Sequence, residues 1–223
     1  MDFSDTREEA AFRAEARSWI EANAPKHLKP YLEASGFGNT NTGPHNTLAE
    51  AKAWQAKKAA AGWACLQWPK AYGGRGATPI QSVIWSQEEG IYSKLSGAFI
   101  IGQGMCAPTL MGFASEEHKT SYIPKIASGE QVWCQLFSEP HGGSDLAGLR
   151  TRAERDGDDW IINGQKIWTS LADHADYVWL AARTNPDPAA PPHKSISMFI
   201  VPTDAPGFSH TPIHALGENN VHV

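Results

Sequence analysis

Apolar side chains recur every three or four residues near the beginning of the chain. Phe12, Ala16 and Ile20 share this spacing, which is the period of one face of an α-helix. Thr6 stands three residues before Glu9, and a threonine followed at that distance by a glutamate is the sequence signature of a capping box. The pattern therefore predicts an amphipathic helix whose first turn follows Thr6.

Further helical patterns continue as far as Gly129. Gly62 stands where one of these helices would end, and Ser115 stands in the N-cap position of another. A Gly-, Asn- and Thr-rich loop at residues 36–46 and a turn-rich segment at residues 68–76 interrupt the pattern. The predicted helices after the first cover residues 48–61, 79–90, 95–114 and 116–127.

Beyond Gly129 the apolar runs become short and rich in β-branched and aromatic residues, as is typical of strands. Residues 156–158 and the Asn163-Gly164 pair have the chemistry of hairpin turns, and residues 185–192 form a loop because prolines interrupt a sheet. The predicted strands cover residues 132–137, 160–162, 166–169, 177–182 and 196–201, with a less regular candidate at 208–213. This half favours an antiparallel sheet or a small barrel.

The two halves predict an α+β chain with two domains. Residues 1–130 are expected to form an all-α helical domain, and residues 131–223 an antiparallel β-barrel-like domain. The chain has 223 residues, of which 41% are hydrophobic. A chain of this size and composition can bury a sizeable core.

Charge and cysteine content indicate which kind of partner and which cellular location to expect. The net charge is -5, and the sequence contains no long run of like charges. Both observations argue against a nucleic acid or membrane partner and favour a small-molecule ligand. Cys65, Cys106 and Cys134 form no CxxC pair, so reduced thiols in the core are expected. The acidic residues Asp2 and Asp5 do not suit a signal peptide, and no apolar run approaches the ~18 residues of a membrane span. We therefore expect a soluble, cytoplasmic protein.

The residues with the most backbone freedom lie directly after the predicted strand at 132–137. Residues 138–145, Ser-Glu-Pro-His-Gly-Gly-Ser-Asp, combine two hydroxyl side chains with adjacent glycines. Such glycines allow backbone N–H groups to face an anion. The composition fits phosphate or pyrophosphate binding, and it equally fits a surface turn in which Glu139 and Asp145 are solvated.

The order of these residues is more specific than their chemistry. FSEPHGGSDLAG at residues 137–148 resembles the signature of the acyl-CoA dehydrogenase family, in which a hydroxyl residue precedes Glu-Pro and Gly-Ser-Asp follows. Three further segments are similar to motifs that occur in the same order in that family: GWACLQWPKAYGGRG at 62–76, SEEHKTSYIPKIASGE at 115–130 and INGQKIWTS at 162–170. The resemblance covers nearly the whole chain. It implies the fold of that family, truncated before its C-terminal helical domain.

The resemblance implies that the chain binds FAD where the helical and β domains of the family meet. Ser138 matches the hydroxyl that bonds the pyrimidine edge of the flavin, and Ser170 matches the hydroxyl that reaches N5, the atom that receives hydride. Trp168 matches the aromatic residue that packs on one face of the ring. The positions implied to contact the cofactor are Gln135, Leu136, Phe137, Ser138, Gly143, Ser144, Trp168, Thr169 and Ser170.

The resemblance also implies an acyl-CoA substrate. Ser144 matches a position near the pantetheine arm, and His193 falls near a position that touches the CoA adenine in relatives, although a solvated loop histidine is the alternative there. Gln135 and His141 depart from the family pattern, and His141 is expected to meet either a phosphate or substrate, or water. Small residues in the segment 101–110, which matches the pocket wall, suggest room for a bulky or branched acyl chain.

The implied reaction oxidises an acyl-CoA thioester to its trans-2-enoyl-CoA, with hydride transfer to flavin N5. In the family a glutamate of the C-terminal domain removes the α proton, and we expect this residue beyond Val223. No catalytic residue is therefore assigned within the chain, and Glu139 is assigned to the cofactor loop. An electron-transfer flavoprotein is the implied electron acceptor, and a homo- or hetero-oligomer is the implied assembly. A non-catalytic flavin- or acyl-CoA-binding partner subunit and a flavin oxidase of the same fold remain alternatives.

Two other patterns are set aside. Residues 102–107 have the form G-x-G-x-x-A, but they lie among predicted helices, whereas a dinucleotide-binding fingerprint follows a strand. His210 and His214 are four residues apart with Pro212 between them, and His222 follows, but no nearby carboxylate completes a set of metal ligands. No metal site is predicted.

Overall fold

Met1–Glu130 and Gln131–Val223 are the two units into which the chain divides. The computed structural model describes residues 4–36, 40, 42–187, 189–214 and 220–223. Parts of the two predicted loops, residues 37–39 and 41 in one and Pro188 in the other, lie outside the described residues. The chain therefore follows the predicted fold class, a helical unit followed by a β-sheet unit.

Two helices of the first unit begin at the side chains that the sequence predicts as caps. Thr6 accepts a hydrogen bond from the Glu9 amide, and the Glu9 side chain accepts one from the Thr6 amide. Ser115 caps the last helix of the unit. The helices are α1 (Arg7–Asn23), α2 (Lys29–Ala34), α3 (Thr47–Ala60), α4 (Pro79–Glu89), α5 (Ala107–Phe113) and α6 (Glu116–Ser128).

The prediction of one regular α-helix over residues 95–114 is wrong. A 3₁₀-helix covers Gly90–Phe99, and a π-helix covers Gly102–Cys106 before α5 begins. Pro108 has no N–H to donate to the Gly104 carbonyl, which removes one α-helical hydrogen bond. The Ala107 amide instead donates to the Gly102 carbonyl, five residues earlier, as in a π-helix.

A buried ion pair lies among the tryptophans of the helical unit. Trp63 and Trp85 stack with ring centroids 4.6 Å apart. Glu89 accepts hydrogen bonds from Trp54 Nε1 at 2.9 Å and Trp85 Nε1 at 3.0 Å, and its Oε1 lies 2.8 Å from Lys58 Nζ. Both charged side chains are buried, so these contacts offset the cost of removing two charges from water.

The second unit contains two sheets among its described residues. The strands are β1 (Trp133–Leu136), β2 (Arg152–Asp156), β3 (Asp159–Asn163), β4 (Thr169–Ser170), β5 (Tyr177–Arg183), β6 (Ile196–Pro202), β7 (Pro212–His214) and β8 (Asn220–His222). In the larger sheet the strand order is β1-β5-β2-β3, and β6 also pairs with β5; the smaller sheet has the order β4-β8-β7.

The pairing of the larger sheet differs from a wholly antiparallel one. β5 runs parallel to β1 and, through Arg183, to the first residue of β2, Arg152, and it runs antiparallel to β6. β5 is buried along its centre on both faces, and strands that are buried on both faces read as continuous apolar runs. β2 was not predicted because its sequence, Arg-Ala-Glu-Arg-Asp, buries one alanine among four polar residues.

The predicted hairpin turn at residues 156–158 is confirmed, and it joins β2 to β3. Asp156 pairs with Asp159, and Gly157 has φ +64°, a conformation that glycine adopts without steric cost. The Asn163-Gly164 pair forms no second hairpin. A Cβ at Gly164 would collide with the Thr151 side chain, so this glycine permits a close approach rather than a tight turn.

The strand predicted at 166–169 is reduced to β4, and the candidate at 208–213 is reduced to β7. Trp168 has φ +63°, which is not an extended conformation. β4 therefore begins only at Thr169 and does not include residues 166–168.

The three cysteines are buried and form no disulfide, as predicted. Burial raises the pKa of Cys65 and Cys134 to about 12, because a thiolate loses hydration in the core. These two thiols therefore stay protonated at neutral pH and are poor nucleophiles. Among the described residues, no helix is both long enough and apolar enough to cross a membrane.

Candidate functional site

The glycine-rich loop folds back on itself directly after β1. The Glu139 amide donates to the Gly142 carbonyl at 2.9 Å, and the Gly142 amide donates to the Glu139 carbonyl at 3.0 Å. Pro140 and His141 occupy the tip of this small hairpin. His141 Nε2 lies 3.3 Å from the Gly148 carbonyl oxygen, so the imidazole turns back towards the loop.

Glu139 is the centre of a buried hydrogen-bond network. Its carboxylate accepts from the Arg150 amide at 2.6 Å, the Thr151 amide at 2.8 Å and the Thr151 hydroxyl at 2.6 Å. Lys166 Nζ donates to the same carboxylate at 2.9 Å. Three separate segments, the loop, the residues just before β2 and the segment before β4, are therefore joined at one carboxylate.

The network keeps Glu139 ionised. Burial by itself would raise the pKa of Glu139, but the hydrogen bonds from Thr151, Lys166 and the Arg150 amide outweigh it and hold the pKa at about 2. Burial lowers the pKa of Lys166, and the contact with Glu139 partly offsets this effect. A carboxylate with so low a pKa is a weak proton acceptor at neutral pH, which supports its assignment to the loop rather than to catalysis.

The two segments that the sequence predicts to hold the flavin lie side by side. Lys166 Nζ donates to the Phe137 carbonyl at 3.1 Å, and the Ile167 amide donates to the Ser138 carbonyl at 3.0 Å. These bonds fix the end of β1 against the residues that lead into Trp168. The loop and the Trp168–Ser170 segment are 30 residues apart in the sequence (138 to 168), so the fold brings them together.

Trp168 combines a strained backbone with an exposed ring. Its φ of +63° is rare for an aromatic residue, and 62% of its surface is exposed. Thr169 is buried and Ser170 is exposed, so the Trp168 ring and the Ser170 hydroxyl stand at the surface on either side of an inward-pointing threonine. An exposed aromatic side chain held by a strained backbone is typical of a binding site.

Strand pairing holds the backbone of both segments that are predicted to bind the flavin. Gln135 and Leu136 of β1 pair in parallel with Trp179 and Leu180 of β5. Thr169 of β4 pairs with His222, whose buried ring lies 3.3 Å from the Thr169 carbonyl oxygen. The backbone of each predicted flavin segment is thus held by a sheet.

The exposed part of the loop presents glycine and serine backbone. A Cβ at Gly143 would lie 3.1 Å from Ser138 Oγ, so Ser138 covers the glycine closely, and Ser144 is exposed. Asp145 accepts a hydrogen bond from the Gly148 amide through its side chain at 3.2 Å. The two ends of the loop are therefore fixed while its Gly143-Ser144 centre remains accessible.

Arg183, at the end of β5, connects this loop with the turn that contains His193. Arg183 Nη2 donates to the carbonyls of Ala147 at 2.8 Å and Leu149 at 3.0 Å, and Nη1 donates to the Pro192 carbonyl at 3.3 Å. His193 is exposed in the 3₁₀ turn Pro192–Lys194. A cavity of about 460 Å³ lies between these segments and is lined by both.

Comparison with protein families decides the classification. Residues 6–130 match the family model described as acyl-CoA dehydrogenase, N-terminal domain, and residues 134–223 match the model described as acyl-CoA dehydrogenase, middle domain. The chain belongs to the acyl-CoA dehydrogenase family. The resemblance carried by the residue 137–148 motif is thereby confirmed.

A similar curated relative is acyl-CoA dehydrogenase FadE26 of Mycobacterium tuberculosis. It is 41% identical over 217 residues, which are 97% of this chain and 52% of the relative. The chain therefore spans about half the length of the acyl-CoA dehydrogenases that it matches.

Solved acyl-CoA dehydrogenase structures share the fold. The ChsE4-ChsE5 complex from Mycobacterium tuberculosis matches with a TM-score of 0.77 and 37% identity, over 100% of this chain and 53% of that one. A structure described as the Tcur3481-Tcur3483 steroid ACAD matches equally, over 100% of this chain and 54% of that one. The glutaryl-CoA dehydrogenase from Mycobacterium smegmatis in complex with FADH2 matches with a TM-score of 0.68 and 26% identity, over 98% and 52% of the two chains.

Sequence reasoning missed the residues that hold the candidate site together. Lys166, Thr151 and Arg183 make hydrogen bonds to the loop that span 12 or more residues of sequence, so no local motif reveals them. No local signal marks Lys166 as buried, because a lysine is more often exposed.

Proposed function

We propose that the chain supplies the flavin- and CoA-binding surfaces of an FAD-dependent acyl-CoA dehydrogenase. The observation that carries this proposal is the pair of hydrogen bonds from Lys166 Nζ to the Phe137 carbonyl and from the Ile167 amide to the Ser138 carbonyl. They place the glycine-rich loop beside the exposed Trp168 and Ser170. Family membership of the matched residues supports the same site.

The residues present suit a flavin. Trp168 offers an exposed aromatic face for an isoalloxazine ring, and the hydroxyls of Ser138 and Ser170 would donate hydrogen bonds to its polar edge. Backbone carbonyls and amides of residues 135–138, together with Thr169, would complete the contacts. When bound, FAD supplies the hydride acceptor for oxidation of the acyl-CoA to a trans-2-enoyl-CoA, and these hydrogen bonds tune its electron affinity.

The CoA portion would bind along the other end of the loop. The exposed Gly143 and Ser144 present backbone N–H and hydroxyl groups, which suit the pantetheine arm and the pyrophosphates. His193 stands beside the cavity that Arg183 helps to line, and its ring would pack on the adenine. Arg183 holds the two sides of that cavity together rather than reaching out to a ligand.

A bulky acyl group is the substrate class that we propose. A Cβ built on Gly104 would meet no described atom within 4 Å, so the π-helix Gly102–Cys106 leaves free space beside it. One of the similar structures, at 37% identity, is described as a steroid ACAD. A ring-bearing or branched acyl-CoA would use such space better than a straight chain.

We further propose a hetero-oligomer whose second chain is another acyl-CoA dehydrogenase, in the cytoplasm, with an electron-transfer flavoprotein as electron acceptor. Two similar structures are named as pairs of different chains. The glutamate that removes the α proton would come from a C-terminal helical domain or from the partner chain, since Glu139 is held ionised within the loop.

The test has a binding stage and a reaction stage. In the first, FAD affinity is measured by flavin fluorescence for the purified protein and for the variants Trp168→Ala and Ser170→Ala, with Trp160→Ala as a matched control because Trp160 is an exposed tryptophan on β3. We expect loss of affinity for the first two variants and none for the control.

In the second stage, straight-chain and steroid acyl-CoA thioesters are mixed anaerobically with the FAD-loaded protein and its co-expressed partner. We expect bleaching of the flavin absorbance and an enoyl-CoA product. FAD binding without bleaching in the presence of the partner would favour a non-catalytic subunit, and rapid reoxidation of the reduced flavin by oxygen would favour an oxidase. Equal FAD affinity of all three variants and wild type would refute the proposed site.

A further inference from the structure

We propose that His27, His45 and Glu50 form a binding site for a transition-metal dication such as Zn²⁺. The ligand atoms of these three side chains all lie within 4.8 Å of one another. His27 Nε2 is 3.5 Å from Glu50 Oε2, and His45 Nδ1 is 3.6 Å from Glu50 Oε1. The cluster belongs to the helical unit, and the inference does not depend on the proposed flavin chemistry.

The two distances fit ligands around a shared ion better than direct hydrogen bonds. A nitrogen–oxygen hydrogen bond is typically about 2.9 Å long, and a contact at about 3.6 Å does not qualify. Tetrahedral zinc has metal–ligand distances of about 2.0–2.1 Å, which places neighbouring ligand atoms about 3.4 Å apart. Both imidazole–carboxylate distances are within a few tenths of an ångström of that value. Each histidine also approaches a different oxygen of Glu50. Small side-chain rotations would bring the three ligand atoms into contact with one metal ion.

His45 is held in place by the turn before α3. Its amide donates to the Thr42 carbonyl at 3.2 Å, and the hydroxyl of the buried Thr42 donates to the His45 carbonyl at 2.9 Å. Asn46 caps α3 by accepting from the Ala49 amide. Glu50 stands in the first turn of the same helix, so the cap also fixes the third ligand relative to His45.

His27 comes from a different segment and faces the other histidine. It lies in the 3₁₀ turn Lys26–Leu28, which leads into α2. Its ring is edge-on to that of His45, with centroids 5.1 Å apart and an interplanar angle of 72°, and the ring of Tyr31 in α2 also contacts that of His45. The ligands therefore come from two anchored segments, and a bound ion would cross-link the start of α2 to the start of α3.

The donor set favours zinc over calcium or magnesium. Two imidazoles and one carboxylate match the three-ligand sets of zinc sites that keep a fourth position for water, whereas Ca²⁺ and Mg²⁺ prefer oxygen ligands. The side chains of His27, His45 and Glu50 are 52%, 38% and 24% exposed, so water can reach that fourth position.

Isothermal titration with Zn²⁺ tests the proposal on the purified protein without a polyhistidine tag. We expect one zinc ion per chain at this site, and at least about tenfold weaker binding for each of His27→Gln, His45→Gln and Glu50→Gln, because each loses a ligand. The matched control is His174→Gln, since His174 is a surface histidine 3.6 Å from the carboxylate of Asp173. The control should bind zinc as the wild type does.

A crystal soaked in Zn²⁺ and measured at the zinc absorption edge locates the ion. Anomalous density between the three side chains would support the site, and density elsewhere with equal affinities for the Glu50→Gln variant and the wild type would overturn it. Circular dichroism without metal verifies that each variant is folded, so that a lost affinity reports on ligation.

Discussion

Lys166 Nζ lies 2.9 Å from Glu139 Oε1, and the two side chains are 5% and 3% exposed. The pair joins the segment that precedes Trp168 to the loop that follows β1. Removing one partner of a buried ion pair leaves a charge without its compensation, at a cost of about 3–5 kcal/mol. Lys166→Met should therefore lower the free energy of unfolding by about 3 kcal/mol, at the low end because Glu139 keeps its other donors.

Urea unfolding followed by circular dichroism measures this loss. The control is Lys194→Met, which removes an exposed lysine from a turn and should change stability by less than about 0.5 kcal/mol. Equal effects of the two substitutions would show that the buried pair contributes nothing beyond a surface lysine.

The pH dependence of stability should report on Glu139. Its pKa is about 2 in the folded chain against an ordinary value of 4.5. Because the folded pKa is the lower one, the stabilisation is complete above pH 4.5 and is lost as the pH falls towards 2. A shift of this size corresponds to about 3 kcal/mol. The stability difference between wild type and Glu139→Gln should therefore be largest near neutral pH and should shrink between pH 4.5 and 2. A constant difference across that window would contradict the low pKa.

We expect Trp168 to contribute to FAD binding and not to the stability of the fold. Its left-handed φ costs about 1–2 kcal/mol for a residue with a Cβ, and Trp168→Gly removes this strain while adding about 0.5–1 kcal/mol of chain entropy cost. We expect the variant to be as stable as the wild type or up to about 1 kcal/mol more stable, and to bind FAD poorly. Trp160→Gly, in the regular strand β3 and in contact with Phe199, should instead be destabilised by about 1 kcal/mol.

Arg183 should influence CoA binding without touching the flavin. Arg183→Met removes the donors to Ala147, Leu149 and Pro192, so both sides of the cavity beside His193 lose their common anchor. We expect the KM for acyl-CoA to rise by about tenfold, which corresponds to about 1.4 kcal/mol, while the flavin absorbance spectrum stays the same. Arg155→Met is the control, because Arg155 lies over Trp160 on another part of the sheet. A changed flavin spectrum would place Arg183 at the cofactor instead.

In the helical unit, the two partners of the buried ion pair should differ in importance. Glu89→Leu leaves the indole N–H groups of Trp54 and Trp85 without their acceptor, while Lys58 Nζ loses its counter-ion and keeps a bond to Ser96 Oγ. Lys58→Met leaves Glu89 with both indole donors. Unsatisfied buried polar groups cost about 1–3 kcal/mol each, so Glu89→Leu should be the more destabilising by at least about 1 kcal/mol. Tryptophan fluorescence during urea unfolding gives both values, and a larger loss for Lys58→Met would contradict this order.

The sequence predicts the parts of the fold that depend on neighbouring residues. The capping box of Thr6 and Glu9 and the hairpin at residues 156–158 are local, and both are confirmed. The 3₁₀- and π-helical segments before α5 were not predicted. Their geometry depends on how the carbonyls left without a donor by Pro108 and its neighbours are paired, and the sequence does not show this pairing. The parallel pairing of β5 was missed because its partner β1 is distant in the chain.

The candidate site divides in the same way. Its loop and its Trp168–Ser170 segment have recognisable motifs, and their roles in binding remain predictions. The connection between them rests on Glu139, whose donors lie 11 to 27 residues further along the chain. No local pattern specifies such contacts, because each of the residues involved is an ordinary polar residue until the fold brings them together.

The pairing of β1 with β5 also constrains the order in which the sheet unit assembles. Trp133 pairs with Tyr177, 44 residues later (133 to 177), and the glycine-rich loop, the β2–β3 hairpin and Trp168 all lie within the segment that this pairing closes. Closing a long loop costs chain entropy before its contacts form, which slows folding. On a ribosome, β1 must wait for β5 to emerge, while the hairpin can form at once. The rate at which a cell produces a binding-competent chain would then depend on such long-range ladders.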